Sequence, residues 1–287
     1  MTQRQFVNAY QRGEVDEEEL TSAINRYSEL GAEPQEAADE LIAEAGSSGV
    51  KLLNIDVCNS PCESVIRSVY QYTKRSGSDG LTNSEAKDLL NAYRYDDDIA
   101  VGPGSRRDAG DIQETLESLE NDGVDGTIKT MGEVSGDATG YKRIAGETDI
   151  TDSVVNGYGK DPDAVEMSKD IDNPPKSAPL DATEVDVDVE GEIEIDGETL
   201  DSPAIESKHF NPDKRPLEDM VDTDFDDLRK KLITQATSDE DPLVIVTTKE
   251  YRSAYSDRFE SLKDAVKRHP GVDSDVTIKI TTYSDLD

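Results

Sequence analysis

The stretch Pro203-Ala204-Ile205-Glu206-Ser207-Lys208-His209-Phe210 has the pattern of a short strand that ends by presenting one acid and one base. Residues two apart on a strand point to the same face of a sheet, so the side chains of Glu206 and Lys208 are expected to converge. The prediction for the second half of the chain is built outward from this strand.

An alternating segment precedes this strand. From Thr183 to Ile195, branched apolar residues stand between acidic ones, the pattern of one long strand or of two strands joined at Glu190-Gly191. The dipeptide Asp196-Gly197, which follows, is typical of a tight turn. A hairpin is therefore expected to lead into Ala204–His209.

Helices and strands alternate around these strands. The apolar spacing predicts a helix over 141–157, a strand over 164–171, the strands just described, a helix over 224–237, a strand over 243–247, a helix over 250–267 and a strand over 276–281. This order predicts the α/β class, an α/β sandwich with a mixed central sheet.

The first half of the chain is expected to be mostly α-helical. Residues 1–46 are interpreted as a small helical hairpin module, in which Gly13 ends one helix, Asp16 caps the next and Pro34 begins a third. Residues 47–135 are interpreted as a helical region and linker. Helices are expected after Asn59 and Asn83 and over 111–121, and a linker or loose hairpin around 127–131. The C-terminal domain is then expected to span 136–287.

The charge of the chain is strongly negative. Among 287 residues, 65 are Asp or Glu and 30 are Lys or Arg, which gives a formal net charge of -35. Such a charge repels itself at low salt, whereas the Debye length is only about 3 Å in 1 M salt. Because the acids are spread over every segment, the composition favours a soluble protein of a halophilic archaeon or its virus. Partial disorder is the rival interpretation for the linkers.

The chain lacks the residues that several classes of protein need. No apolar run approaches the ~20 residues of a membrane span, and Met1–Tyr10 has no signal-peptide core. The protein is expected in a salt-rich cytoplasm or in a virion, not at a membrane and not secreted by a classical signal. Cys58 and Cys62 give at most half a zinc site. With His209 and His269 as its histidines, the chain has little material for histidine-based zinc hydrolysis or a Ser-His-Asp triad.

Two resemblances go with these patterns. Glu206-Ser207-Lys208 on a strand, an acid on the preceding strand and the flanking helices resemble the PD-(D/E)xK nuclease superfamily over residues 140–287. That resemblance implies a restriction-endonuclease-like fold and an Mg²⁺-dependent (or Mn²⁺-dependent) endonuclease or exonuclease. The stretch from Tyr10 to Leu20 resembles helical hairpins of oligomerising tails and phage-type structural proteins, which implies self-association or docking to a protein partner through residues 1–46.

Metal-dependent hydrolysis of a phosphodiester bond needs carboxylates and a lysine at one place. Carboxylates on adjacent strands can hold Mg²⁺ and leave positions for water and phosphate, and a nearby lysine can orient the water and stabilise the transition state. The expected catalytic residues are Glu206, Lys208 and Asp186. The expected metal ligands are Asp186, Asp188, Glu206 and Glu147.

The sequence does not decide which acid pairs with Glu206. Asp186 and Asp188 share a face of the same strand, whereas Asp196 lies in the expected turn, and a strand holds a ligand more rigidly than a turn does. Arg229 and Lys230 are the expected substrate-binding residues. They belong to a set of basic residues expected along the substrate path, which also includes Lys208, Lys214, Arg215 and Lys231.

The function expected from the sequence is hydrolysis of phosphodiester bonds in nucleic acid, DNA in the first place, with RNA still open. An acid-x-lysine triplet is common in so charged a chain, so the order of elements around it carries the prediction. An acidic protein also binds phosphates poorly at low salt. The alternative is a non-catalytic structural or adaptor protein, virion-associated, with a degenerate nuclease-like domain.

Overall fold

The computed structural model describes residues 2–13, 15–29, 81–93, 109–137, 140–208 and 217–286, with short pieces between residues 35 and 107. The helices predicted from Pro34 and after Asn59 lie largely outside the described residues. Cys58, Cys62, His209, Lys214 and Arg215 also lie outside the described residues.

The chain divides into two compact units. One comprises the described residues within Met1–Asp98, Asp108–Gln113 and Ile128–Ile144, and the other those within Ile99–Arg107, Glu114–Thr127 and Ala145–Asp287. The predicted division at residues 46 and 135 stays a prediction.

The chain begins with two short helices, as predicted. Helix α1 (Thr2–Gln11) and helix α2 (Glu17–Glu29) are separated by Gly13, whose φ of +68° is a conformation that favours glycine. Their apolar faces meet in a small core of Phe6, Ala9, Val15 and Ala23. With two alanines among four residues, this core buries little apolar surface.

Further helices precede the five-stranded sheet. Helix α3 (Asn83–Tyr93) has a capping box, because Thr82 and Glu85 exchange hydrogen bonds between side chain and backbone. The two-residue strands β1 (Ile99–Ala100) and β2 (Arg106–Arg107) pair with each other, and helix α4 spans Ala109–Asp122.

The prediction of a linker or loose hairpin around 127–131 was wrong. This segment is helix α5 (Thr127–Gly132), and its Ile128 and Met131 are buried. The Gly-, Asp- and Thr-rich composition on either side masked two apolar residues three apart, which is helical spacing.

The second half of the chain follows the predicted order. Helix α6 (Gly140–Asp152) continues as a π-helical turn over Ser153–Gly157, and a short 3₁₀ turn covers Pro162–Ala164. The remaining elements are β3 (Val165–Asp172), β4 (Ala182–Val189), β5 (Glu192–Ile195), β6 (Glu198–Asp201), β7 (Ala204–Lys208), α7 (Leu217–Thr237), β8 (Leu243–Thr247), α8 (Lys249–Ala254), α9 (Ser256–Lys267), β9 (Ile278–Thr282) and a 3₁₀ turn (Tyr283–Asp285).

Five of these strands form one mixed sheet in the order β3-β4-β7-β8-β9. Strand β4 runs antiparallel to both of its neighbours, β3 and β7, whereas β7, β8 and β9 run parallel. The parallel neighbours are connected through α7 and through α8 and α9. The predicted α/β class with a mixed sheet, preceded by a helical region, is thereby confirmed.

A separate hairpin interrupts the sheet order. The alternating segment divides at Gly191, which has a φ of +72°, and β5 pairs with β6 around Asp196-Gly197, where both residues have positive φ. The division and the tight turn agree with the sequence pattern. Strand β6 was not predicted, because Glu198–Asp201 contains one large apolar residue, Leu200.

The main core lies where α7 and α9 pack on the sheet. Leu228 and Leu232 of α7 and Phe259 of α9 belong to the same buried cluster as Leu243 and Ile245 of β8. Strand β8 lies inside the sheet between β7 and β9, and all five of its residues are buried. None of the described helices combines the length and apolar character that a bilayer span requires.

Candidate active site

The two predicted strand acids lie on neighbouring strands. The ladder between β4 and β7 pairs Asp188 with Ala204 and Val187 with Ile205. One residue further along the same register, Asp186 comes opposite Glu206. Since directly opposite residues of an antiparallel pair share a face, the alternation of both strands places these carboxylates side by side.

Lys231 of α7 joins these two carboxylates. Its Nζ lies 2.6 Å from Oδ1 of Asp186 and 2.7 Å from Oε2 of Glu206. Burial opposes the charge on this ammonium, but the two carboxylates outweigh it, and the pKa of Lys231 is raised above its ordinary value. The three side chains form a cluster of two carboxylates and one ammonium group.

Glu206 is completely buried. Its Oε1 accepts a hydrogen bond from Nε2 of Gln235, which also donates to the carbonyl oxygen of Glu184 at 2.8 Å. No hydrogen bond of good geometry reaches Oε2 within the described chain, although Lys231 lies against it. Burial and the Asp186 charge raise the pKa of Glu206 to about 6, while Lys231 and Lys208 act in the opposite direction.

Lys208 stands at the open side of this cluster. Its Nζ lies 3.8 Å from Oε2 of Glu206. The exposed fraction of the side chain rises from 1% at Glu206 through 16% at Lys231 to 28% at Lys208. The described surroundings therefore open to solvent on the side of Lys208.

Ser207, the middle residue of the triplet, is held on two sides. Its backbone N–H donates to Oδ2 of Asp186 at 2.7 Å, and its Oγ shares a 2.8 Å hydrogen bond with the hydroxyl of Tyr283. Burial raises the pKa of the Tyr283 hydroxyl above its ordinary value. Gly146 of α6 allows this packing, because a Cβ there would lie 2.1 Å from Oγ of Ser207.

Two other expected metal ligands have partners of their own. Oδ2 of Asp188 lies 3.0 Å from Nζ of Lys169, which also pairs with Glu240 at 3.1 Å. Glu147 accepts a hydrogen bond from Oγ of Ser168 at 3.4 Å. The structure thus brings Asp186 together with Glu206, and it does not gather Asp188 or Glu147 into the same cluster.

The expected substrate-binding residues lie on an exposed part of α7. Arg229 and Lys230 both form ion pairs with Asp226 on the preceding turn, and Lys230 also pairs with Asp227 at 3.3 Å. Asp196 lies in the β5–β6 turn. The structure therefore places Lys231, and not Arg229 or Lys230, beside the carboxylates of Asp186 and Glu206.

The carboxylates that could hold a metal ion are Asp186 and Glu206. In the described part of the chain, no three side chains from His, Cys, Asp and Glu lie together as a ligand group. Mg²⁺ is often held by only one or two carboxylates, with water and substrate phosphate in its other positions. The buried Oε2 of Glu206, which lacks a well-formed hydrogen bond, is an oxygen that suits such an ion.

Lys231, Gln235 and Tyr283 contact the carboxylates or the Glu206-Ser207-Lys208 triplet. The sequence placed Lys231 only among the basic residues expected along the substrate path, and it assigned no role to Gln235 or Tyr283. One signal was present for Lys231 and Gln235: they lie four residues apart, on one side of a helix, next to the buried Leu232. Polar residues that flank the apolar face of a helix lie at the edge of the contact between that helix and the sheet. Nothing in the pattern around Tyr283 indicated its contact with Ser207.

Comparisons of the chain with family models, with curated proteins and with solved structures gave no match. A functional assignment accordingly depends on the geometry of the cluster formed by Asp186, Glu206, Lys208 and Lys231.

Proposed function

We propose that the sheet domain is a metal-dependent nuclease that hydrolyses phosphodiester bonds of nucleic acid, with DNA as the first candidate substrate. The observation that carries this proposal is the convergence of Asp186 and Glu206 from adjacent strands on Lys231, with Lys208 beside them. Two acids that can hold a divalent cation, with two lysines that can face a phosphate, suit metal-assisted cleavage of a phosphate ester.

Each side chain has a distinct role in this proposal. Asp186 and Glu206 would hold the divalent cation, Mg²⁺ or Mn²⁺, and the contact of both carboxylates with one cationic group, the Lys231 ammonium, supports the fit. When bound, the cation supplies positive charge for the phosphoryl oxygens and acidifies a coordinated water. Lys208, nearest to solvent, orients the attacking water and faces the phosphate.

The surroundings hold these groups in place. Gln235 fixes Oε1 of Glu206, and the Ser207 N–H fixes Oδ2 of Asp186. Tyr283 fixes the Ser207 side chain from the other direction. Side chains locked in this way are typical of sites that act by positioning charge.

Nucleic acid must approach a chain with a net charge of -35. Molar salt shortens the reach of that charge to about 3 Å, so nearby acids repel the phosphates less. It also weakens attraction by lysine. We therefore expect binding that depends on direct contact at the site, in a salt-rich cytoplasm or a virion.

The two N-terminal helices are proposed to dock the protein to a partner or to a second copy. Val7 and Tyr10 of α1 and Ile24 of α2 expose close to half of their side-chain surface, although they are large and apolar. The small core beneath them supports a role in assembly.

The alternative is a structural or adaptor protein in which the nuclease-like domain no longer cleaves. The complete burial of Glu206 and the pairing of both carboxylates with Lys231 favour this candidate. Buried ion clusters also occur as purely structural features.

One assay separates these candidates. The full chain is incubated in molar KCl with Mg²⁺ or Mn²⁺ and single-stranded, duplex or branched DNA, or RNA. Metal-dependent cleavage that is lost in Glu206→Ala and in Lys208→Ala is the expected result. Cleavage that survives both substitutions would reject the site, and no cleavage of any substrate would favour the structural role.

A further inference from the structure

Lys231 occupies the position that a bridging cation would need. Its Nζ contacts one oxygen of Asp186 at 2.6 Å and one oxygen of Glu206 at 2.7 Å. A divalent cation held by the same two carboxylates must compete with this ammonium, because both cannot lie between the same oxygens.

The charges of the site balance without a metal ion. Asp186 and Glu206 carry two negative charges, and Lys208 and Lys231 carry two positive ones. Addition of a divalent cation would give the four side chains and the ion a net charge of +2. That excess matches a phosphodiester together with the additional negative charge that develops on it during hydrolysis.

The anchoring of α7 allows the ammonium to move while the helix stays in place. Leu228 and Leu232 are buried in the core on either side of Lys231. The lysine side chain is a flexible four-carbon stem, and 16% of it is exposed. Its charged end can thus leave the carboxylates without movement of the backbone.

We propose that Lys231 is the resident counter-cation of Asp186 and Glu206, that a divalent cation displaces it, and that the displaced ammonium then faces the substrate phosphate. This inference rests on the proposed nuclease function. It assigns two successive partners to Lys231: first the two carboxylates, then the phosphate.

Lys263 of α9 provides a control. Its ion pair is with the exposed Glu260 on the same helix. Lys231→Gln and Lys263→Gln remove the same charge, so general effects of net charge are equal in the two variants.

The test measures Mn²⁺ affinity by calorimetry and cleavage rate for the wild type and both variants of the full chain in molar KCl. Lys231→Gln should bind Mn²⁺ at least ~10-fold more tightly, because the carboxylates lose their competing cation. It should also cleave at least ~100-fold more slowly. Lys263→Gln should match the wild type in both measurements.

The two readouts distinguish this inference from the proposed function. Unchanged Mn²⁺ affinity in Lys231→Gln overturns the inference whatever the cleavage rate, because a purely structural lysine does not compete with a cation. Tighter binding with undiminished cleavage overturns the role at the phosphate. If the wild type cleaves nothing, the nuclease proposal fails, and the affinities still decide whether Lys231 is the counter-cation.

Lys231→Gln leaves two buried carboxylates without the ammonium that contacts both of them, so its folding is followed by circular dichroism with and without Mn²⁺. Recovery of the fold on addition of Mn²⁺ supports the inference. Failure to recover, in a protein whose Glu206→Gln/Lys231→Gln variant folds, contradicts it.

Discussion

The backbone N–H of Ser207 donates a 2.7 Å hydrogen bond to Oδ2 of Asp186. The acid of one strand is thereby tied to the middle of the acid-x-lysine triplet on the next. Because Lys231 contacts the other oxygen of the same carboxylate at 2.6 Å, Asp186 is held from two directions. Asp188 instead pairs with Lys169, so the geometry selects Asp186 as the second acid of the site.

Substitution of Gly146 should disturb the Glu206-Ser207-Lys208 triplet, because Gly146 packs against Ser207. In Gly146→Ala the new Cβ would lie 2.1 Å from Oγ of Ser207 and 2.5 Å from the hydroxyl of Tyr283. Relief of such overlap should lower the free energy of unfolding by about 1–3 kcal/mol. Urea unfolding in molar KCl measures this loss.

The control for this variant is Gly157→Ala. A Cβ at Gly157 meets nothing closer than 4.0 Å, and its free energy of unfolding should stay within about 1 kcal/mol of the wild type. Equal stability of the two variants would show that the contact between Gly146 and Ser207 is looser than described.

The buried Glu206 should make stability depend on pH. Burial, with the charge of Asp186, raises its pKa from 4.5 to about 6. A carboxyl whose pKa is higher in the folded state contributes stability that is fully present below pH 4.5 and lost as pH rises through about 6. The raised pKa corresponds to about 2 kcal/mol.

Glu206→Gln isolates this contribution, because glutamine does not titrate. Between about pH 4 and about pH 7 the wild type should lose about 2 kcal/mol of unfolding free energy relative to Glu206→Gln. Denaturant unfolding at constant KCl concentration checks this. Parallel pH profiles for the two proteins would mean that Glu206 titrates normally.

Stability should rise with salt. With 65 acidic and 30 basic residues, the folded chain brings like charges close together, and the Debye length falls from about 10 Å at 0.1 M to about 3 Å at 1 M salt. The thermal midpoint should therefore increase between these two KCl concentrations, and in NaCl to a similar extent. A midpoint that is independent of salt would contradict the halophilic interpretation.

Much of the sheet could be predicted from the sequence because its strands alternate or are continuously apolar. The pattern from Thr183 to Ile195 and the run Leu243–Val246 gave two strands of the sheet and the β5 strand of the hairpin close to their observed bounds. Helix α5 was missed because its apolar residues are few and stand among glycines and threonines. The hairpin strand β6 was missed for a similar reason.

Only the part of the site that follows from strand periodicity could be predicted from the sequence. Alternation placed Glu206 beside Lys208 and left Asp186 and Asp188 equivalent, because both share one face. Their difference depends on which lysine reaches each of them: Lys231 from α7 or Lys169 from β3. Contacts between residues 45 apart in the chain have no signature in the local pattern.

The most direct test of the central claim compares Asp186→Asn with Asp188→Asn. The two substitutions make the same chemical change two residues apart on β4, and only Asp186 contacts Lys231 and Ser207. We measure the initial rate of Mg²⁺-dependent cleavage of labelled DNA by the full chain in molar KCl. Asp186→Asn should reduce the rate at least ~100-fold, since even outer residues of metal sites cost 10–100-fold. Asp188→Asn should stay within about threefold of the wild type, because it loses only a half-buried ion pair. Equal rates for the two variants, or a larger loss in Asp188→Asn, would contradict the account.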